Sequence, residues 1–484
     1  MNYTIEQLVQ KPFWKHFYSI SQIPRPSGHM QAITAYIEEF GKALQLETIR
    51  DGANNILIRK SASAGYEDCR SIILQSHLDM VPQKNESIQH DFYTDAIKWK
   101  IQDNWLMADN TTLGADNGIG VATMLSILEN QELSHSAIEA LFTVDEENGM
   151  NGVFGLGADL LKGDILINLD SEDENEIIIG CAGAVRVQCD FFYEKEAVPE
   201  GDKAFKVSIK GLLGGHSGID IHLQRANANK LLFHFLKTLV ADFEARLSWT
   251  KGGNVINAIP REAEAVITVP SDAEEDLYLV CQEFASIYEQ EYEGVESNLQ
   301  CIIEPVDLPN GVLPQPIQDD VINAVIGAPN GVYRFVPQIG SVETSSNLGV
   351  IDTTDTAVSV HLLVRSNLDS MKGEVRSMIE SIFSLAGAKI TLSGNYDGWA
   401  PKSHSTIVSL VDEQYEHFYH REAQIKTIHA GLECGIIGSK YPHLDMVSFG
   451  PTIKYPHSPN EQVDIESAER FYRFLTLVLS QASN

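Results

Sequence analysis

A chain of 484 residues with a formal charge of -32, from 35 basic and 67 acidic residues, is too acidic for its overall field to hold nucleic acid or an anionic membrane. Its 43% hydrophobic content excludes a disordered chain, and its length exceeds one ordinary domain. Six cysteines without a Cys-x-x-Cys pair, no basic-then-apolar N-terminal segment and no apolar run of roughly 18–20 residues lead to the expectation of a cytoplasmic protein with reduced thiols.

Residues 1–183 alternate helix-like stretches (5–21, 29–44, 118–130, 152–161) with strand-like ones (55–59, 71–76, 140–144, 165–169). That alternation predicts a mixed, mostly parallel sheet with helices on both faces, an α/β fold. Near Gly183 the texture changes. The stretches 206–210, 263–269 and 357–364 alternate apolar and polar residues as half-buried strands do, and amphipathic segments at 228–247 and 369–385 lie between them. This predicts an inserted α+β domain. Its strand-helix-strand order, met twice, fits either internal duplication or plain alternation. The turn-rich Asn395-Tyr-Asp-Gly-Trp-Ala-Pro401 leads back to α/β texture. The expected division is 1–184 with 396–484 as one discontinuous domain and 185–395 as the insert.

Several apolar strand candidates end in metal-binding residue types. Ser76-His-Leu-Asp79 closes one, Asp145-Glu-Glu147 follows a second, and Asn168-Leu-Asp170 closes a third. A fourth, 446–451, leads to Pro456-His457, and Asp116 stands in Leu113-Gly-Ala-Asp-Asn-Gly118 ahead of a helix. In open α/β sheets ligands gather at the carboxyl ends of strands. Two histidines with several carboxylates and no cysteine there suit a dinuclear hydrolytic metal site. In extended chain, residues two apart point the same way, so Asp79 can accept a hydrogen bond from the imidazole of a metal-binding His77. Asp116 can bridge two cations. Glu146 and Glu147 point in different directions and suit different tasks, one ligand and one base. Asp170 and His457 bring the ligand count to five. Each motif alone has a plainer reading, as a strand-end histidine, a helix N-cap or an acidic turn. Their convergence carries the argument.

These motifs resemble the co-catalytic zinc exopeptidases that include aminoacylase, peptidase T and carnosinase. Chain length, motif order and Gly431-Leu-Glu-Cys-Gly435 are similar to the bacterial dipeptidases of that family that release a C-terminal histidine. The resemblance implies a di-metal catalytic domain with an inserted lid. It implies two zinc ions, with cobalt or manganese as substitutes, His77 and Asp170 on the opposite metal from Glu147 and His457, and Asp116 bridging. Asp79 would orient His77, and Glu146 would be the general base. In the lid, His216 (Gly214-Gly-His-Ser-Gly218), Asn257 and Arg365 would contact substrate, His216 at the oxyanion and Arg365 at the carboxylate. The chain departs from the family's usual Gly-Gly-Thr-Asp-like stretch at 430–435, where Glu433 would face the substrate amine or imidazole. The implied activity is hydrolysis of unblocked dipeptides, Xaa-His preferred, by a homodimer joined through the lid, with no nucleic-acid or membrane partner. The alternatives are N-acyl amino acid deacylation or carboxypeptidase action on the same site, metallophosphatase chemistry, and a metal-binding assembly protein that keeps the fold without catalysis.

Overall fold

The computed structural model describes residues 3–337 and 339–482. The chain forms two compact units, one of Met1–Gly180, Trp399–Lys426 and Leu432–Asn484, the other of Cys181–Gly398 and Thr427–Gly431.

The first unit is built on an eight-stranded sheet in the order Glu47–Arg50, Ile56–Lys60, Ile138–Thr143, Ile72–His77, Ile165–Asn168, Asp445–Ser448, Glu176–Cys181, Gln424–Ile428. The four central strands pair in parallel, while Glu47–Arg50, Ile56–Lys60 and Glu176–Cys181 join antiparallel. Every residue of the central four is buried. That explains their near-continuous apolar runs, since parallel strands are covered on both faces. Parallel pairing also sends all four strands to one edge, so their carboxyl ends meet.

Helix Ala115–Glu129 is buried almost throughout. Its approach to the sheet leaves no room at Gly120, where a Cβ would lie 2.3 Å from Ser76 Oγ and 2.6 Å from Asn117 Oδ1. The expected helix 5–21 is two helices, Ile5–Val9 and Pro12–Ser21, because Pro12 starts a helix but cannot continue one. The expected helix 152–161 is only Asn151–Gly155. A small sheet orders Ile453–Lys454, Gln462–Asp464, Trp105–Ala108 and Trp99–Gln102. Pairing of its first two strands turns residues 455–461 into a closed loop that carries His457.

The second unit has a nine-stranded sheet whose recorded pairings are all antiparallel, from Gln300–Val306 at one edge to Lys389–Tyr396 at the other. Alternate strand residues (Val185, Val187, Cys189; Phe205, Val207, Ile209; Val358, Val360, Leu362) share one core with helices Ala228–Phe243, Glu274–Glu291, Gln315–Gly327 and Asp369–Leu385. The helices therefore cover one face, as period-two patterning requires. The amphipathic stretch 228–247 is a helix to Phe243 and then a strand, Arg246–Gly252.

Candidate metal centre

At the carboxyl edge of the first unit's sheet the expected donors come together. Asp116 divides its carboxylate between two histidines, Oδ1 at 3.1 Å from His77 Nε2 and Oδ2 at 3.1 Å from His457 Nε2. Asp170 Oδ1 is 3.3 Å from His77 Nε2, and Glu147 Oε1 is 2.8 Å from His457 Nε2. His77, Asp116 and Asp170 form one group, and Asp116, Glu147 and His457 another, with donor atoms within 4.8 Å of one another in each. Asp116 belongs to both. His77 is also grouped with Glu146 and Glu147.

Three local devices aim these side chains. Asp79, fully buried, accepts from Glu146 N–H (3.0 Å), Glu147 N–H (3.1 Å) and Ser27 Oγ (2.8 Å). His77 Nδ1 hydrogen-bonds the Asp79 carbonyl at 3.2 Å and lies 3.4 Å from its Oδ1, so Nε2 is left for the cluster. Asp79 thus touches both the Glu146–Glu147 turn and His77. Asp116 precedes the regular part of its helix: Asp116 and Asn117 have non-helical dihedrals, and the peptide between them is cis. His457 sits at φ 59°, left-handed and uncommon for a non-glycine residue, in a loop stiffened by Pro456 and Pro459.

The electrostatics are those of too many acids in one place. Burial pushes Glu146 well above the ordinary range, with Asp170, Glu433 and Glu147 adding to the rise. Burial takes Asp170 up to about 6. Glu172 is driven to about 9 by burial and then by Asp116 and Asp170. Burial acts on Asp116 in the same sense, but hydrogen bonds from His457 and His77 outweigh it and hold Asp116 below the carboxylate range. Glu147 Oε1 and Asp170 Oδ1, both buried atoms, have no assigned hydrogen bond although each lies close to an imidazole nitrogen. Two unpartnered carboxylate oxygens and two imidazole nitrogens around a shared carboxylate form a donor set that divalent cations fit. The charge of such ions would offset the repulsion that raises Glu146 and Asp170.

Glu433 lies in the same unit, fully buried, with Oε2 accepting from Gln75 Nε2 (2.5 Å) and Thr143 Oγ1 (2.6 Å) and Oε1 without a partner. Burial raises it to about 8. His216, Asn257 and Arg365 belong to the second unit. His216 Nδ1 accepts from Gly218 N–H (3.2 Å) and Ile219 N–H (3.0 Å), which puts the ring proton on Nε2. Burial, then the charge of Arg365, pushes His216 down to about 4. A side chain at Gly218 would meet the His429 carbonyl at 2.0 Å, the physical reason for glycine there. Asn257 is exposed in a turn, its carbonyl accepting from Ser217 N–H at 2.9 Å. Arg365 is buried, with Nε unpartnered.

Sequence reasoning missed Arg25, Ser27, His429 and Glu461, and its reading of the acidic stretch Ser171–Glu176 as a solvated loop is corrected at Glu172, which is largely withdrawn from solvent and feels the charges of Asp116 and Asp170. Arg25-Pro-Ser-Gly28 and the Asn460-Glu461 pair after His457 were the available signals, without any pattern to tie them to the cluster. A cavity of about 560 Å³ lined by Tyr18, His90, Asp95, Lys98 and Trp99 contains none of the cluster's residues.

Comparison with known proteins identifies the family. A family profile described as a peptidase dimerisation domain of the M20 type matches residues 207–296. The cytosol non-specific dipeptidase of Escherichia coli K12 is 44% identical over 478 residues, covering 99% of both chains. The solved structure of aminoacylhistidine dipeptidase from Vibrio alginolyticus is 42% identical, with a TM-score of 0.93 over 99% of this chain and 98% of that one. Aminopeptidase PepT from Bacillus cereus, 14% identical with a TM-score of 0.58 over 98% and 99% of the two chains, shares the fold. With 44% identity over 99% of both chains to a named dipeptidase and 42% identity over 99% of this chain to the solved aminoacylhistidine dipeptidase, the chain belongs to the M20 family of metallopeptidases, hydrolases of peptide bonds.

Proposed function

We propose that this M20 hydrolase is a dipeptidase that cleaves unblocked dipeptides, with preference for histidine at the second position, at a centre of two zinc ions. The carrying observation is the shared carboxylate of Asp116 between two donor groups, one of them buried around His77, beside a Glu146 that burial holds above its ordinary pKa. His77 and Asp170 would hold one ion, Glu147 and His457 the other, and Asp116 both.

When bound, the ions supply Lewis acidity toward the scissile carbonyl and make the attacking water more acidic. Glu146 takes the water's proton and later delivers it to the leaving amine, a double task that a raised pKa suits. Asp79 anchors the Glu146 and Glu147 amides, so base and ligand keep their separation. In the second unit, neutral His216 offers Nε2–H to the developing oxyanion. Arg365 grips the dipeptide carboxylate through its planar fork, and Asn257 contacts substrate. Glu433 is assigned to the substrate amine or imidazole through its unpartnered Oε1.

We further propose the division 1–184 with 396–484 as catalytic domain and 185–395 as lid, a homodimer joined through the lid, and a cytoplasmic location. The matched dimerisation region and the name of the Escherichia coli relative support the last two. That relative's name, a non-specific dipeptidase, also favours a second reading in which many dipeptides are cleaved alike.

The test is amino acid release from a panel of dipeptides, including β-alanyl-histidine and acetylated controls, after EDTA and after zinc add-back. Zinc-restored cleavage biased to Xaa-His is the expected outcome. Equal rates across the panel favour the broad reading, and release of acetate instead identifies a deacylase.

A further inference from the structure

We propose that Arg25 and Glu461 are positioning residues that clamp the three ligand-bearing loops together, so that metal affinity depends on both. The inference rests on the metal-centre reading above.

Arg25 is 2% exposed and Glu461 is 2% exposed, among the most deeply buried charges near the cluster. Arg25 Nη1 donates to the Leu78 carbonyl at 2.8 Å and the Asp79 carbonyl at 3.1 Å, just past His77. Its Nη2 donates to the Gly114 carbonyl, two residues before Asp116. Glu461 holds the same segment from its N–H side. Oε2 accepts from Leu113 N–H (2.7 Å) and Gly114 N–H (2.9 Å), and Oε1 from Ala115 N–H (2.7 Å) and Asp116 N–H (3.2 Å). The peptide that carries Asp116 is therefore gripped on its carbonyl by a cation and on four successive amides by an anion. Glu461 lies four residues after His457, in the loop between Ile453–Lys454 and Gln462–Asp464, so it ties the His457 loop to the Asp116 loop. Arg25 ties the Asp116 loop to the end of the His77 strand.

The residue types follow from the contacts. Four amides on two oxygens need an acceptor-only group, and a carboxylate is the one side chain that offers it. Two carbonyls from one strand end and a third from another loop need a forked, permanently charged donor. Glycine is required at 114 and 118, where a Cβ would lie 2.5 Å and 2.7 Å from Arg25 Nη2. Burying two charges is costly, and their placement at the junction of the ligand loops, where every bond they make is to backbone of those loops, marks them as fixing geometry.

The test compares wild type, Glu461→Gln and Arg25→Lys as full chains. Zinc affinity is measured by competition with a chromophoric chelator, the ligand field by the visible spectrum of the cobalt-substituted protein, and folding by thermal unfolding of the metal-free forms. In Glu461→Gln the amide NH2 must oppose two backbone N–H groups, and in Arg25→Lys one ammonium replaces a two-armed fork. We expect folded, cooperatively melting variants with zinc bound about 10–100-fold more weakly and an altered cobalt spectrum. Wild-type zinc affinity and cobalt spectrum in a folded variant overturn the inference. Should Glu461→Gln not fold, Arg25→Lys, which keeps the charge, decides by the same criterion. A wild-type chain that takes up no zinc overturns the metal-centre reading itself, an outcome the wild-type arm identifies separately.

Discussion

Replacement of Asp79 by Asn removes one charge and almost no volume, and its consequences can be worked from four contacts. Oδ1 faces Glu146 N–H at 3.0 Å and His77 Nδ1 at 3.4 Å, and Oδ2 faces Ser27 Oγ at 2.8 Å and Glu147 N–H at 3.1 Å. A carboxamide has one acceptor oxygen, so its NH2 must occupy one of these sides. On the Oδ1 side it opposes Glu146 N–H and drives the imidazole proton to Nε2, the atom that faces Asp116 and Asp170. On the Oδ2 side Ser27 can turn to accept, but Glu147 N–H is stranded. Either way one buried amide loses its partner, at a cost of about 1–3 kcal/mol, and the surviving bonds lose their charge assistance. A total of about 3 kcal/mol corresponds to a shift of roughly 6–12 °C in the unfolding of a unit this size. Because the displaced groups are the proposed base, one proposed ligand and the tautomer of another, kcat/KM should fall by about 100-fold and zinc affinity by about 10–100-fold. The assay is calorimetric unfolding of the metal-free protein alongside dipeptide hydrolysis at saturating zinc. An Asn variant that melts within about 2 °C of wild type and keeps kcat/KM within about threefold would refute this account of Asp79.

Three further outcomes are expected. Glu146→Gln keeps its metal content and loses at least about a hundredfold in kcat, the usual scale for a lost general base; near-normal turnover removes Glu146 from that role. His216, pushed down to about 4, is neutral throughout the working range, so His216→Asn should lower kcat by the same factor from pH 6 to pH 9. A deficit that disappears above pH 7 would mean that the charged imidazolium acts instead. Burial pushes Asp445 up, yet bonds from Ser405 Oγ, Thr406 N–H, Thr406 Oγ1 and Ile407 N–H outweigh it and hold its pKa below the ordinary value. A carboxylate depressed by folding contributes stability that is complete above its unfolded pKa of about 3.9 and is lost as pH falls through the folded value. Asp445→Asn should therefore cost about 1–2 kcal/mol at pH 7 and flatten the acid limb of the stability profile below about pH 4, and an unchanged acid limb contradicts the assignment.

The donor set was legible because chemistry and local geometry coincide in short motifs. A strand-end His-x-Asp, a Glu-Glu turn after an apolar run and an Asp before a helix each announce themselves within a few residues. The fully buried strands around Ile72–His77 and Ile165–Asn168 were equally plain, since a parallel strand covered on both faces has no polar side to write. The break between Val9 and Pro12 and the change from helix to strand after Phe243 are set by proline and by sheet pairing, which a periodicity reading runs through.

The sequence by itself determined which atoms are available to bind and to exchange protons, because ligand type and strand alternation are properties of neighbouring residues. Only the tertiary structure decided that Asp116 is shared between two histidines 380 positions apart in the chain (457 less 77), that Asp79 anchors the amides of both Glu146 and Glu147, and that Arg25 and Glu461 grip the Asp116 loop. Those contacts join residues far apart in sequence. They exist because parallel pairing brings four strand ends to one edge, where buried backbone amides and carbonyls must find partners and take them from whichever charged side chains the fold delivers.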